Sequence, residues 1–127
     1  MEDFGFYLVM TNPKVGYAAC AEAAVKAGVK MLQLRMKHAP REEVLGVARR
    51  IRALTRGTET AFIVNDDAAL AAEVAADGVH VGQDDMPVAE VRARYPGLRI
   101  VGLSTHNLEQ AHAAAAAEGA ARPDYIG

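Results

Sequence analysis

Apolar residues along this chain alternate between two textures, short unbroken runs and longer stretches with helical spacing. Phe6-Tyr7-Leu8-Val9-Met10 is an aromatic and aliphatic run closed by Thr11-Asn12-Pro13, which predicts a strand and then a turn. Tyr17 to Ala27 is Ala-rich, carries Ala18, Ala21 and Val25 at helical intervals, and stops at Gly28, a residue suited to the position just beyond a helix end. Val29 to Arg35 predicts the second strand. Between Arg41 and Thr55, Val44, Leu45, Ala48, Ile51 and Leu54 share one face. Arg41, Arg49, Arg50, Arg52 and Arg56 lie mostly opposite, which reads as a solvated helix flank, and Gly57 ends the helix.

The same rhythm continues. Ala61 to Val64 predicts a third strand running into Asn65-Asp66-Asp67, and Ala68 to Ala76 a short helix. Gly78 to Val81 predicts a fourth strand leading into Gly82-Gln83-Asp84-Asp85-Met86-Pro87. Pro87 suits the first turn of a helix reaching about Tyr95, with Asp85 or Met86 ahead of it, and Pro96-Gly97 breaks that helix. Arg99 to Leu103 predicts a fifth strand, and Asn107 or Ser104 can cap a helix over Leu108 to Glu118. Arg122-Pro123 turns the chain, and Asp124 to Gly127 opens a sixth strand.

Strict strand–helix alternation means parallel strands joined by right-handed helical crossovers. Such a sheet either stays open and doubly wound or closes as a barrel. No Gly-x-Gly-x-x-Gly follows the first strand, which weakens the dinucleotide-binding option. Polar groups instead follow strands two, three, four and five, as expected when every strand end contributes to one rim. The expected class is therefore α/β, of the (β/α)8 TIM-barrel type. A full barrel takes roughly 200 residues or more. The 127 residues are accordingly expected to form one partial barrel domain, residues 1–127, with five βα units and a sixth strand.

Strand parity locates the candidate chemistry. In Met31-Leu32-Gln33-Leu34-Arg35-Met36-Lys37, side chains alternate faces, so Gln33, Arg35 and Lys37 fall opposite Leu32, Leu34 and Met36. Polar and cationic groups at the carboxyl end of a parallel strand suit an anion, most simply a phosphate. Asn65 and Asp66 follow strand three, Asp84 and Asp85 strand four, and Ser104, Thr105 and His106 strand five. Two carboxylates beside phosphate-binding cations are what a Mg2+-diphosphate complex needs, because that ion takes one or two carboxylates together with phosphate oxygens and water. Asn65 and Ser104 can donate to phosphate without adding charge. Asp66 and Asp85 also read as N-caps of the helices that follow them. His80, between Val79 and Val81, reads as a satisfied interior histidine rather than a ligand, whereas His106 on the rim suits proton transfer or closing off the pocket. His38 and His112 have no supporting context. Tyr7 and Met10 either edge the pocket or pack in the core.

Composition removes several classes. Net charge is −2, there is no Trp, and no basic run appears, so nucleic acid is not an expected partner. The single cysteine, Cys20, excludes an internal disulfide and a Cys-rich metal site; set among Ala and Glu, it reads as a packing residue. No apolar stretch reaches membrane-span length and no basic region precedes an apolar run at the start, so a cytoplasmic protein without a membrane partner is expected.

Gln-Leu-Arg-Met-Lys, Ile-Val-Asn-Asp-Asp, Gly-Val-His-Val-Gly-Gln-Asp-Asp-Met-Pro, Gly-Leu-Ser-Thr-His-Asn-Leu and Asp-Tyr-Ile-Gly, in that order, resemble the thiamine-phosphate synthase (thiamine-phosphate pyrophosphorylase) family across essentially all 127 residues. That superfamily also contains thiazole tautomerases. The resemblance implies a transferase joining hydroxymethylpyrimidine diphosphate to hydroxyethylthiazole phosphate, giving thiamine phosphate and diphosphate. It further implies that Gln33, Leu34, Arg35, Met36 and Lys37 hold the pyrimidine diphosphate, with Arg35 and Lys37 on its phosphates. Asn65 and Ser104 would contact the same substrate, Asp66 and Asp85 would hold Mg2+, and Arg35, Lys37 and Ser104 would act in catalysis. The family's next loop, rich in Pro, Thr and Lys, and its later Gly-rich phosphate site lie beyond Gly127. A C-terminally truncated chain of weak or no activity, pairing with another copy through its open edges, is therefore expected. Two other readings stand beside it: a thiazole tautomerase using His106, and a non-catalytic binding or assembly module that keeps half a site.

Overall fold

Six parallel strands lie side by side in chain order: β1 (Tyr7–Met10), β2 (Met31–Leu34), β3 (Ala61–Asn65), β4 (Gly78–Val81), β5 (Ile100–Leu103) and β6 (Tyr125–Ile126). This computed structural model describes Asp3 and residues 5–127. Helices α1 (Tyr17–Lys26), α2 (Arg41–Thr55), α3 (Ala68–Glu73), α4 (Val88–Arg94) and α5 (Leu108–Ala116) connect the strands, and a short 3-10 turn (Gly119–Ala121) precedes β6. Sequential order with right-handed crossovers puts every helix on the same side of the sheet. The sheet is therefore wound in one direction, as in a barrel wall, and has no switch point of the doubly wound kind.

Register explains where the core sits. Leu8, Leu32 and Phe62 are paired across β1, β2 and β3, and Val79 pairs with Val101 across β4 and β5. These positions and their same-parity neighbours Met10, Leu34, Val64 and Val81 pack against Ala21, Ala24, Ala48, Ile51, Leu70, Ala71 and Val91 of the helices. Met10, 2% exposed, belongs to this core. Small alanines on α1 and α3 let those helices approach the sheet closely. The opposite parity, Tyr7, Gln33, Asn65, His80, Gly102 and Tyr125, faces away from the helices.

Element ends differ modestly from the sequence expectation. Strand β2 stops at Leu34, so Arg35 and Lys37 belong to the loop after it. Pro87 precedes α4 as its N-cap rather than lying in its first turn. Helix α3 ends at Glu73 because Ala75 takes a left-handed φ of 55° and the Ala76 amide closes onto the Ala71 carbonyl. Helix α5 ends at Ala116, where Ala117 turns extended.

At the amino ends of the strands one device recurs. Asp77, just before β4, accepts from the Phe62 amide at 2.7 Å while its own amide donates to the Phe62 carbonyl. Arg52 of α2 and Arg99 pair with its two oxygens at 3.0 Å each. Asp124, before β6, repeats the pattern on the Val101 amide, at 2.8 Å, with Arg92 of α4 at 3.2 Å. Arg52 is thus drawn inward, its side chain 16% exposed, and is not part of a solvated flank. Burial alone would push the Asp77 carboxyl up, but the Phe62 amide, Arg99 and Arg52 outweigh it and hold the carboxyl below its usual range.

Asp77→Asn keeps an acceptor for the Phe62 amide but removes the charge facing both arginines. Urea unfolding near neutral pH is expected to show a loss of about 1–3 kcal/mol. A carboxyl titrating lower in the folded state contributes fully above its unfolded pKa of roughly 4 and loses that contribution as pH falls through the folded value. The difference between the two proteins should therefore shrink in acid; an undiminished gap there contradicts the assignment.

Candidate functional site

The carboxyl ends of the strands carry the polar residues, and backbone ladder bonds fix where they stand. Each ladder runs one step beyond its strand: the Arg35 amide donates to Met10, that of Asp66 to His80 and that of Ser104 to Val81, at 2.8–3.0 Å. The first residue past β2, β3 and β5 is consequently held as firmly as the strand itself. Arg35, Asn65 and Ser104 converge on a cleft of about 340 Å³ on the face without helices. Tyr7, Gln33, His80 and Tyr125 line the same cleft.

These last four residues form a continuous hydrogen-bonded chain with Ser104. Gln33 Nε2 donates to Tyr7 Oη at 2.9 Å, and Tyr7 Oη meets Tyr125 Oη at 2.6 Å, across 118 residues of sequence. Tyr125 Oη lies 2.9 Å from His80 Nδ1, and His80 Nε2 lies 2.7 Å from Ser104 Oγ. The two tyrosine rings meet edge to face at 5.4 Å between centroids. Tyr125 fits only because residue 102 is glycine: a Cβ there would sit 2.1 Å from Tyr125 Cζ. Burial pushes the Tyr7 hydroxyl up and the Tyr125 hydroxyl far up, so both stay protonated. Burial pushes His80 down, partly offset by the nearby carboxylates of Asp66 and Asp85. Asp66 is tied through its amide to the His80 carbonyl, and Asp85 lies in the loop that follows β4.

Each residue singled out from the sequence has a place. Gln33 is buried and committed to Tyr7. The guanidinium of Arg35 reaches Thr11 Oγ1 at 3.4 Å from the cleft wall. Lys37 pairs with Asp66, and the two share a side depression with Asn65, which borders the cleft as well. Leu34 is buried in the helix-side core and Met36 packs against it, so neither side chain faces the cleft. Asp66 takes a left-handed φ of 69° and is not a cap; Asp67 caps α3 by accepting from the Leu70 amide at 2.9 Å. Asp85 does not cap α4 either, but folds onto its own loop, accepting from the Gly82 amide at 2.6 Å. Asp84 and His106 are exposed, and neither lines the cleft. Thr105 donates from its amide to the Gly127 carbonyl at 2.7 Å. Asn107, one of the two expected caps, caps α5.

Sequence reading underrated two residues and passed over a third. His80 is satisfied at both nitrogens, as expected of an interior histidine, yet it also walls the cleft. Tyr7 does so too, and Tyr125, which the sequence places only in a short sixth strand, completes the wall. Their signal was register: Asn65 pairs with His80, His80 with Gly102, and Gly102 with Tyr125, a row of one parity.

Among the described residues no three His, Cys, Asp or Glu side chains gather as a metal site. Two carboxylates from adjacent strand ends suit a divalent ion only where phosphate oxygens and water complete its shell. No helix among the described residues is long and apolar enough to cross a membrane.

A family model described as thiamine monophosphate synthase matches residues 6–127. A thiamine-phosphate synthase of Halalkalibacterium halodurans is 39% identical over 130 aligned positions, covering all of this chain and 60% of that protein. One from Chloroflexus aurantiacus is 45% identical over 111 residues, covering 87% of this chain and 49% of its own. A solved thiamine phosphate pyrophosphorylase from Pyrococcus furiosus superposes with a TM-score of 0.79 at 31% identity, over 95% of this chain and 57% of the other. The chain thus spans about half to three-fifths of the length of these relatives.

Because Tyr125 occupies the space above Gly102, Gly102→Ala must displace the ring and break its bonds to Tyr7 and His80. Urea unfolding should show a loss of about 1–3 kcal/mol. In a Tyr125→Ala background the same change should cost far less, a non-additivity that reports the contact. Equal costs in both backgrounds would remove it.

Proposed function

The chain belongs to the thiamine monophosphate synthase family, and on that footing we propose that it holds the pyrimidine-diphosphate half of a thiamine-phosphate synthase site. The supporting observation is the meeting of Arg35, Asn65 and Ser104 on one cleft, with Lys37 and Asp66 in the adjoining depression that Asn65 also borders, while Asp85 lines a separate depression in the loop after β4. In the proposed reaction the pyrimidine carbon–oxygen bond of hydroxymethylpyrimidine diphosphate breaks, negative charge gathers on the departing diphosphate, and the nitrogen of hydroxyethylthiazole phosphate captures the pyrimidine cation. Arg35 and Lys37 hold the diphosphate and stabilise that charge more in the transition state than before it. Asn65 and Ser104 add neutral donors, and Gln33 orients the pyrimidine. Leu34 and Met36 contribute through their backbone, since their side chains point into the helix layer. Asp66 and Asp85 are the residues that would hold Mg2+, which when bound spreads the charge of the diphosphate. No protein nucleophile is needed, in keeping with the placement of Cys20 at the helix-side core.

His106 stands outside the cleft, so proton transfer by that residue, as a thiazole tautomerase requires, has less support. Isothermal titration with hydroxymethylpyrimidine diphosphate, with and without Mg2+, tests the reading. Binding should depend on Mg2+, and Arg35→Ala should weaken it by about tenfold to a hundredfold, as loss of a charge-assisted hydrogen bond does. Asp66→Ala should abolish the Mg2+ dependence. Binding indifferent to the ion and to both substitutions would sink the proposal.

A further inference from the structure

Arg35 is the only arginine or lysine among the described residues that line the cleft, and no aspartate or glutamate lines it. Among the described residues its guanidinium has a single partner, Thr11 Oγ1 at 3.4 Å, which leaves most of its N–H groups for an anion. A long side chain with so few contacts keeps one course only if the segments around it are themselves fixed. They are. The Arg35 amide donates to the Met10 carbonyl at 3.0 Å, and the Arg35 carbonyl lies 3.5 Å from the hydroxyl of Tyr17, the first residue of α1.

The same phenol governs the turn that carries Thr11. Tyr17 Oη accepts from the Asn12 amide at 2.9 Å and stands 3.2 Å from Asn12 Oδ1. Its one proton faces two acceptors, Asn12 Oδ1 and the Arg35 carbonyl, and its oxygen takes the amide in either case. Asn12 has a left-handed φ of 46°, a conformation that asparagine tolerates better than most residues and that surrounding contacts must hold. Thr11 is thus pinned from both sides, by Met10 in the ladder with Arg35 and by Asn12 under the phenol. The Tyr17 ring packs against the helix-side core, so its hydroxyl is presented from a fixed base. We propose that Tyr17 is a positioning residue: its hydroxyl fixes the turn after β1 against the segment after β2, and Thr11 on that turn holds the Arg35 guanidinium where an anion entering the cleft meets it. The ligand group served is a phosphate or diphosphate oxygen. Tyr17 does not line the cleft, so it acts through Arg35 and not on the ligand.

This inference deepens the proposed function and rests on it only for the identity of the anion; the ordering of Arg35 belongs to the free protein. Nitrogen-15 relaxation of the arginine Nε–H groups reads that ordering, the Arg35 signal being assigned through Arg35→Lys. Arg35 should be ordered in the unaltered protein and mobile in Tyr17→Phe, which keeps the packed ring and removes only the hydroxyl. Thr11→Val should loosen it as well and Thr11→Ser restore it, whereas Arg94 of α4 should be unaffected throughout. Isothermal titration with hydroxymethylpyrimidine diphosphate and Mg2+ gives the second readout. Tyr17→Phe should weaken binding by about threefold to tenfold, the worth of one hydrogen bond, and by far less in an Arg35→Ala background. An Arg35 signal indifferent to Tyr17→Phe overturns the proposal, and so does an equal effect, or none, in both backgrounds. Failure of the diphosphate to bind at all would count against the proposed function, with the relaxation measurement still deciding the role of Tyr17.

Discussion

Register between parallel strands is the constraint on which the rest of this molecule depends. Side chains alternate with a period of two, so a slip of one residue between neighbouring strands would exchange the core face for the cleft face. The in-register row Asn65, His80, Gly102 and Tyr125 shows the consequence. Three polar or aromatic groups from β3, β4 and β6 reach the same depth, and the one glycine in the row makes room for the largest of them. Paired positions one residue away, such as Val64 with Val79, are wholly apolar and seal the helix layer. Chemistry and packing are thereby separated by parity alone.

That separation accounts for what could be read without coordinates. Strand–helix alternation, the order of the elements and the rim positions of Arg35, Asn65, Asp66, Asp85 and Ser104 were all legible, because each follows from local spacing. Element ends were less so. Helix α3 closes through a left-handed Ala75, a residue whose type gives no such signal. The pairing of the two aromatic residues of the cleft was illegible for a different reason. Tyr7 and Tyr125 touch across 118 residues, and nothing in either segment announces the other. His80 looked like a core residue since its neighbours Val79 and Val81 are one, yet its own parity points the other way. Arg52 was misjudged similarly: helical spacing put it on the polar flank, and only the position of Asp77 beneath α2 shows why it turns inward.

The two ends of the strands do different work. At the amino ends, Asp77 and Asp124 each bridge a strand to its neighbour's amide and to an arginine of a helix, a pattern repeated with two βα units between. Partly buried charges paired in this way are costly to break, because the surviving partner is left without compensation. At the carboxyl ends the charged groups are more exposed and make fewer fixed contacts. Lys37 and Asp66 have side chains 40% and 36% exposed, and their pairing is of the solvent-facing kind. This division is the one expected of barrel proteins, where one face carries stability and the other carries function.

The Lys37–Asp66 pair then takes on a particular meaning. Without a ligand, each neutralises the other, which keeps two like-charged sets, the cations after β2 and the carboxylates after β3 and β4, from meeting uncompensated. A solvent-facing pair is worth no more than roughly 1 kcal/mol. Under the proposed function, exchanging it for a phosphate on the lysine and a cation on the carboxylate would cost little against charge-assisted contacts worth more each. A buried, multiply bonded pair such as Asp77 with Arg52 would resist the same exchange. The carboxyl-end pair is weak where the proposed function needs a site to open to a ligand, and the amino-end pair is strong at the opposite end of the strands.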